Sequence, residues 1–278
     1  MTVLLPRDLA EALYMRARHP EATPIAGGTD LCVHWPQRVA DEPRPHTWLD
    51  LSSVDELSAL RWSEDELVLG ACATYWDVIQ DRRAAEELPL LVEAAERVGA
   101  VQIQARGTWG GNIVNASPAA DGVPVLMAYD ASLVLRSREQ TVEIPLSDFY
   151  LGYKEMRIRL DQLLTEIRIP RENYDFQWFE KVGSRSAQAI TKVGVAVTRR
   201  GGEWRVVANS VAPTVCRCCA VEALLASGDT VSRPDDLMTA LDVDVSPIDD
   251  IRSTARYRRQ VLARLLYYRL RDECPSFT

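Results

Sequence analysis

The chain has 278 residues, 47% hydrophobic and 26% charged, which is enough for two or three packed units, each with its own core. No apolar run approaches the roughly 20 residues that a membrane-spanning helix needs. The formal net charge of −8 disfavours a sequence-independent grip on nucleic acid, which requires a basic surface to displace counterions. The opening stretch MTVLLPRDLAEAL carries acidic residues where a secretory signal would be basic. Six cysteines (Cys32, Cys72, Cys216, Cys218, Cys219, Cys274) in such a chain fit free thiols in a reducing compartment, so the cytoplasm is expected.

Asp8 with Glu11 three positions later resembles a helix start, and Leu9, Ala12, Leu13 and Ala17 recur at helical spacing, predicting a helix over 8–19. Thr23–Ala26 reads as a short strand that breaks at Gly27-Gly28, with a helical turn then running to about Pro36. Thr47–Leu51 is a second strand, and Leu57–Trp62 with Glu66–Leu69 reads as a hairpin. Helices are expected at 75–80 and 88–98, the second stopped by Gly99. A glycine-bearing loop at 107–112 is expected to lead into a helix over 119–129. Alternating segments at 131–136, 163–169, 175–182, 193–199 and 203–211 predict strands, with Gly201-Gly202 turning the last pair. Helices near 219–227 and 253–272 close the chain, and Pro170 with the polar stretch 171–174 suggests a domain boundary near 172.

Two segments carry chemistry. Ile25-Ala26-Gly27-Gly28-Thr29-Asp30-Leu31 offers main-chain N–H groups with no side chain in the way, which is what a diphosphate requires of a tight turn. An ordinary Gly-Gly turn is the alternative for this segment taken alone. Thr108-Trp109-Gly110-Gly111-Asn112 repeats the logic, with Ser117 and Asp121 downstream. Amide dipoles would supply positive potential in an acidic protein. Neither segment has the spacing of a Rossmann dinucleotide site or a Walker phosphate loop.

Taken together, Ala26-Gly27-Gly28-Thr29-Asp30-Leu31 and the run Thr108 to Asp121 resemble the paired FAD signatures of the flavoprotein (medium) subunit of molybdenum hydroxylases. That family includes carbon monoxide dehydrogenase medium subunits, xanthine dehydrogenase FAD subunits and N-heterocycle dehydrogenase FAD subunits. Phe149–Tyr153, Leu163–Ile167, Lys181–Gly183, Ala187–Val193 and Val211–Thr214 are similar to further family segments in the same order.

The resemblance implies an α+β fold. It would comprise a two-subdomain FAD-binding part of the p-cresol methylhydroxylase/vanillyl-alcohol oxidase type over 1–172 (subdomains about 1–55 and 56–172), then a smaller α/β domain over 173–278. It implies non-covalent FAD held by Pro24, Ile25, Ala26, Gly27, Gly28, Thr29, Asp30 and Leu31 along the diphosphate and flavin edge, with Thr108, Gly110, Gly111 and Asn112 completing the cradle. Val98, Ala116 and Ser117 would join the same cleft, Asp121 would hydrogen-bond FAD, Leu164 and Ile190 would pack beside its rings, and Lys181 would lie at the flavin's polar edge. From residue type alone, Lys181 could equally be a solvated strand lysine. The sequence departs from the family at Glu155, which follows Lys154 where a basic pair is common, and at Ser186 after Arg185.

By the same resemblance, molybdopterin and [2Fe-2S] clusters would sit on a large and a small partner subunit, in a dimer of heterotrimers. Electrons would leave to NAD, oxygen, a quinone or a protein, and no residue of this chain would act as a catalytic acid or base. A stand-alone flavin reductase or oxidase of the same wider fold is the enzyme alternative, and a scaffold module that has lost its cofactor is the non-enzyme one.

Other features favour bland readings. Cys216 and Cys219 have C-x-x-C spacing but lack a second pair, so buried unligated thiols are expected. The histidines, His19, His34 and His46, show no ligand spacing, and His34 is not an obvious covalent flavin anchor. The arginine-rich final helix is expected to pack with a solvated basic face rather than bind nucleic acid or membrane. A valine at Gly111 is expected to abolish FAD retention and spare the fold.

Overall fold

The computed structural model describes residues 2–33 and 46–278; the expected end of the turn near Pro36, and His34, lie outside them. Among the described residues there are three sheets of three or more strands and one two-stranded hairpin. The first is small and parallel, with β1 (Thr2–Leu4) and β2 (Thr23–Ile25) flanking β3 (Thr47–Asp50). The Leu9–Arg18 helix connects its outer strands, and Asp8 caps it by accepting a 2.7 Å bond from the Glu11 amide. Glu11 does not complete a reciprocal box, because its carboxylate takes the Arg7 amide and guanidinium instead. Ala12, Ala22, Leu49, Leu51, Val54 and Leu57 form the core of this unit.

The second sheet is antiparallel in the order β4 (Leu60–Trp62), β5 (Glu66–Gly70), β10 (Leu163–Pro170), β6 (Ser132–Arg136), β7 (Thr141–Pro145). Leu67, Leu69, Leu133, Ile167 and Ile169 bury its inner face against the helices Tyr75–Gln80, Pro89–Glu96, Trp109–Val114 and Gly122–Ala128. The predicted hairpin at 57–69 is present, but Asp55–Ser58 is a helical turn and only Leu60–Trp62 is strand. Thr74 makes a full capping box with Asp77, which starts the Tyr75–Gln80 helix where the periodicity placed it.

The predicted 88–98 helix is shorter, Pro89–Glu96, and a separate Arg82–Glu87 helix precedes it. Asp81 caps that extra helix, a signal its polar sequence conceals. The predicted 119–129 helix spans Gly122–Ala128. The strand β7 and the small hairpin β8 (Tyr150–Gly152) with β9 (Glu155–Met156) were not anticipated.

The third sheet runs β11 (Phe176–Val182), β12 (Val193–Arg200), β13 (Glu203–Asn209), β14 (Cys216–Arg217). Gly201 and Gly202 turn β12 into β13 with φ of 56° and 88°, as a tight hairpin requires. Strand alternation sorts its residues between two cores. Val193, Val195, Val197, Val206 and Ala208 face the Cys219–Ser227 and Ala255–Leu270 helices, and Ala196, Val207 and Phe179 face the core of the second sheet. The Thr198 hydroxyl donates to the Ala128 carbonyl across that second boundary. β10 thus ends at Pro170 and a different sheet begins at Phe176. The Met238–Asp244 helix was also unanticipated. Among the described residues, no helix is long and apolar enough to cross a membrane.

Candidate functional site

The first glycine turn follows directly from β2 and closes into a short 3-10 turn at Leu31–Val33, with the Cys32 amide donating to the Gly28 carbonyl. Gly28 has φ of 70°, a left-handed backbone suited to glycine. Among the described residues, the N–H groups of Gly27, Gly28, Thr29 and Asp30 have no protein acceptor. Four unengaged amides on one turn form an anion-binding concavity. Pro24 to Thr29 and Leu31 are half-buried and Asp30 is exposed, so the turn lines the surface rather than the core.

The second glycine segment is not a loop. Thr108 caps a helix that spans Trp109–Val114, so both glycines are helical, and neither has positive φ. Its amides are already engaged. Trp109 N–H donates to the Ala73 carbonyl, Gly110 to Ala71, Gly111 to Thr108 Oγ1 and Asn112 to the Thr108 carbonyl, all at 3.0 Å. All four of these amides thus have acceptors within the protein. Gly110 is glycine because a Cβ would collide with the Ala71 carbonyl. Gly111 is exposed, and a Cβ there would meet only the Thr108 side chain, at 2.7 Å. Without a positive φ, Gly111 is a position where a valine meets the Thr108 hydroxyl rather than backbone strain.

The two segments nevertheless meet. Gly27 packs so tightly on the Arg106-Gly107 backbone that a Cβ at position 27 would overlap the Arg106 carbonyl. Arg106 Nε also donates to the Gly27 carbonyl at 3.4 Å. Gly107 in turn lies against Ile103 and the buried ring of Tyr75, and Gly99 (φ 53°) against the Ile103 side chain. Val98 is half-buried on the same turn, and its carbonyl is held by Gln104. Sequence reasoning missed Arg106, Tyr75 and Gln104, whose roles depend on contacts that no local pattern encodes.

Asp121 and Lys181 form a second cluster. Lys181 Nζ lies 2.6 Å from Asp121 Oδ2 and 2.8 Å from the Arg97 carbonyl, and its side chain is 8% exposed. It is no solvated strand lysine. The Thr191 hydroxyl donates to Asp121 Oδ1, and the Asn209 amide donates to the neighbouring Ala120 carbonyl at 2.7 Å. Burial pushes the Asp121 carboxyl up, while the Lys181 ammonium and the Thr191 hydroxyl pull it down. Asn112 lies next to this group, its Oδ1 buried without a partner and a Cβ on Gly122 only 3.0 Å from it.

Ala116 is buried with φ of 50°, and Ser117 Oγ accepts the Ala119 amide at 3.3 Å. Leu164 is 6% exposed in the core of the second sheet, whereas Ile190 is 57% exposed on the loop after Gly183. The structure does not bring those two side chains into contact. That loop, with Arg97, Gly99 and Lys181, lines a surface cavity.

The donor set fits a large anionic dinucleotide: free amides, a glycine turn pressed on its neighbour, and a buried polar cluster alongside. Among the described residues, no group of three His, Cys, Asp or Glu side chains could hold a metal ion. The thiols divide by environment. Burial pushes the Cys72 thiol up to about 12, and Cys218 is also buried, whereas Cys32 and Cys219 are exposed. Native protein treated with iodoacetamide near pH 8 should label first at exposed Cys32, more slowly at Cys219, whose thiol is pushed up by partial burial and by Glu222, and should spare Cys72 and Cys218, because only a thiolate reacts. Peptide mass mapping checks this, and rapid labelling of Cys72 would contradict its burial.

Residues 1–172 match the family described as the FAD binding domain in molybdopterin dehydrogenase, and residues 178–272 match the carbon monoxide dehydrogenase flavoprotein C-terminal domain. The caffeine dehydrogenase subunit beta of Pseudomonas sp. (strain CBB1) is 34% identical over 229 residues, covering 79% of this chain and 76% of that one. The xanthine dehydrogenase FAD-binding subunit of Escherichia coli O157:H7 is 28% identical over 266 residues, covering 92% and 88%. A solved structure of carbon monoxide dehydrogenase from Hydrogenophaga pseudoflava superposes with a TM-score of 0.85 at 26% identity, covering 96% of this chain and 94% of that one. With an α+β fold, a glycine turn of free amides and matches along nearly its whole length, the chain belongs to the family of FAD-binding oxidoreductase subunits of molybdopterin dehydrogenases.

Proposed function

We propose that this subunit takes electrons from [2Fe-2S] clusters on a small partner subunit and passes them to an acceptor such as NAD, oxygen, a quinone or a protein. Substrate hydroxylation would occur on a large molybdenum-bearing partner, in a cytoplasmic dimer of heterotrimers. The observation that carries the reading is the Gly27–Asp30 turn, with four amides lacking protein acceptors, seated on the backbone that leads into the Thr108–Asn112 segment. When bound, FAD supplies a redox centre that can accept single electrons and release a pair. The protein's part is to hold and orient it.

Residues 24–31 would line the diphosphate and the flavin edge, with Asp30 suited to accept from hydroxyls rather than to face phosphate. Thr108, Gly110, Gly111 and Asn112 would contribute a close-fitting wall, with Val98, Ala116 and Ser117 alongside. Lys181 and Asp121 would form a fixed polar edge, Ile190 would cover the rings from its exposed loop, and Leu164 would back the cleft from the core. Residues 1–172 would form the FAD-binding domain, with subdomains at about 1–55 and 56–172, and 173–278 the C-terminal domain.

Affinity purification of the chain from its native host should recover both partners and protein-bound FAD. Substrate turnover by this polypeptide alone would instead support the stand-alone flavin reductase or oxidase.

A further inference from the structure

The first amides of the helix beginning at Trp109 are taken by the Ala73 and Ala71 carbonyls and by Thr108, so a cation beside the Gly27–Asp30 turn would supply positive potential that those amides do not. Most cations around the site are committed. Arg97 pairs with Glu180 at 2.6 Å, Lys181 with Asp121, and Arg185 donates to the Gln188 carbonyl at 2.7 Å.

Arg106 is different. It is exposed, its carbonyl abuts Gly27, and its Nε reaches the Gly27 carbonyl at 3.4 Å. Among the described residues, no carboxylate pairs with its guanidinium. The contact to Gly27 engages Nε, and among the described residues neither terminal nitrogen has a hydrogen-bond partner. Residues 24–31 offer neutral amides and one carboxylate but no cation of their own, so a guanidinium next to the turn would balance a diphosphate's charge.

We propose that Arg106 is a diphosphate-binding residue, its guanidinium donating to the phosphate oxygens of the dinucleotide held on the Gly27–Asp30 turn. A planar fork suits this task because it can hold the Gly27 carbonyl through one nitrogen and phosphate through the others. This inference rests on the FAD reading above and adds to it the residue that provides the charge.

The test is titration of the full-length apoprotein with FAD, followed by flavin fluorescence, for wild type, Arg106→Lys and Arg106→Gln at low and high KCl. Melting of each apoprotein is measured in parallel. Arg106→Gln should weaken FAD binding about tenfold or more at low salt, the size expected for a lost charge-assisted hydrogen bond. The ratio to wild type should shrink toward unity as the Debye length falls. Arg106→Lys should lie between the two, and apoprotein melting should not change.

A wild-type affinity in Arg106→Gln at low salt would overturn the assignment. So would a loss that is constant with salt or accompanied by a lower apoprotein melting temperature, since either marks a structural role at Gly27. Failure of the wild-type protein itself to bind FAD would overturn the broader cofactor reading, and this one with it.

Discussion

Replacing Gly27 with alanine should abolish tight FAD binding, with a loss of about 100-fold or more, and lower the apoprotein melting temperature by several degrees. A single methyl at this position would overlap the Arg106 carbonyl, and the next atoms it would meet are also main chain. No rotamer change relieves such a contact, so one of the two segments must move. Overpacking of this kind costs about 1–3 kcal/mol, and each kcal/mol shifts the melting of a chain this size by roughly 2–4 °C. Binding suffers more, because displacing the turn misaligns its four open amides together. Losing two charge-assisted bonds at ~1.5 kcal/mol each accounts for about a hundredfold. Gly201→Ala is the matched control: its φ is 56° and nothing lies within 4 Å, so strain of about 1–2 kcal/mol should lower stability without touching FAD affinity. Wild-type FAD affinity in Gly27→Ala would place the cofactor elsewhere.

The contrast between the two glycine segments shows where sequence reasoning reaches its limit. Both read as small-residue loops, and Gly27 of the first lies against the Arg106-Gly107 backbone that leads into the second. At the first segment the amides are open. At the second, Thr108 has the residue type and spacing of a helix cap, and the helix it starts uses the amides that a ligand was expected to take. Glycine at 110 reflects packing against the Ala71 carbonyl, and a pattern of small residues cannot separate that need from close approach by a phosphate.

Elements with strong periodicity or capping were legible. The helix after Asp8 follows the cap expected there, the helices at Tyr75–Gln80 and Ala255–Leu270 fall where the pattern placed them, and β12 follows its run of buried valines. Short edge elements such as β7, β8 and β9 were not, because strands of five, three and two residues carry too little pattern, even though each pairs with a neighbour close in sequence. The burial of Lys181 depends on β11 lying beside Asp121, sixty residues earlier in the chain.

Lys181→Met should be the most destabilising substitution at the site, by about 3–5 kcal/mol near neutral pH, because it leaves the Asp121 carboxylate buried without its cation. The pair joins β11 to the start of the Gly122–Ala128 helix, and Lys181 also holds the Arg97 carbonyl, so FAD affinity should fall with stability. The pH dependence separates a buried charge from lost packing. Burial already raises the Asp121 carboxyl, and without Lys181 it must rise further. A carboxyl whose folded-state pKa exceeds its unfolded value binds more protons when folded, so its contribution to stability is present at low pH and lost as pH rises through the folded value. The deficit of Lys181→Met relative to wild type should therefore be largest at neutral pH and narrow as the solution is acidified toward the ordinary carboxylate range. The double variant Lys181→Met with Asp121→Leu should recover much of the loss, since neither charge then remains unpaired. Urea denaturation of the three proteins across pH checks both statements, and a deficit independent of pH would mean that Lys181 contributes through its methylene packing rather than through its charge.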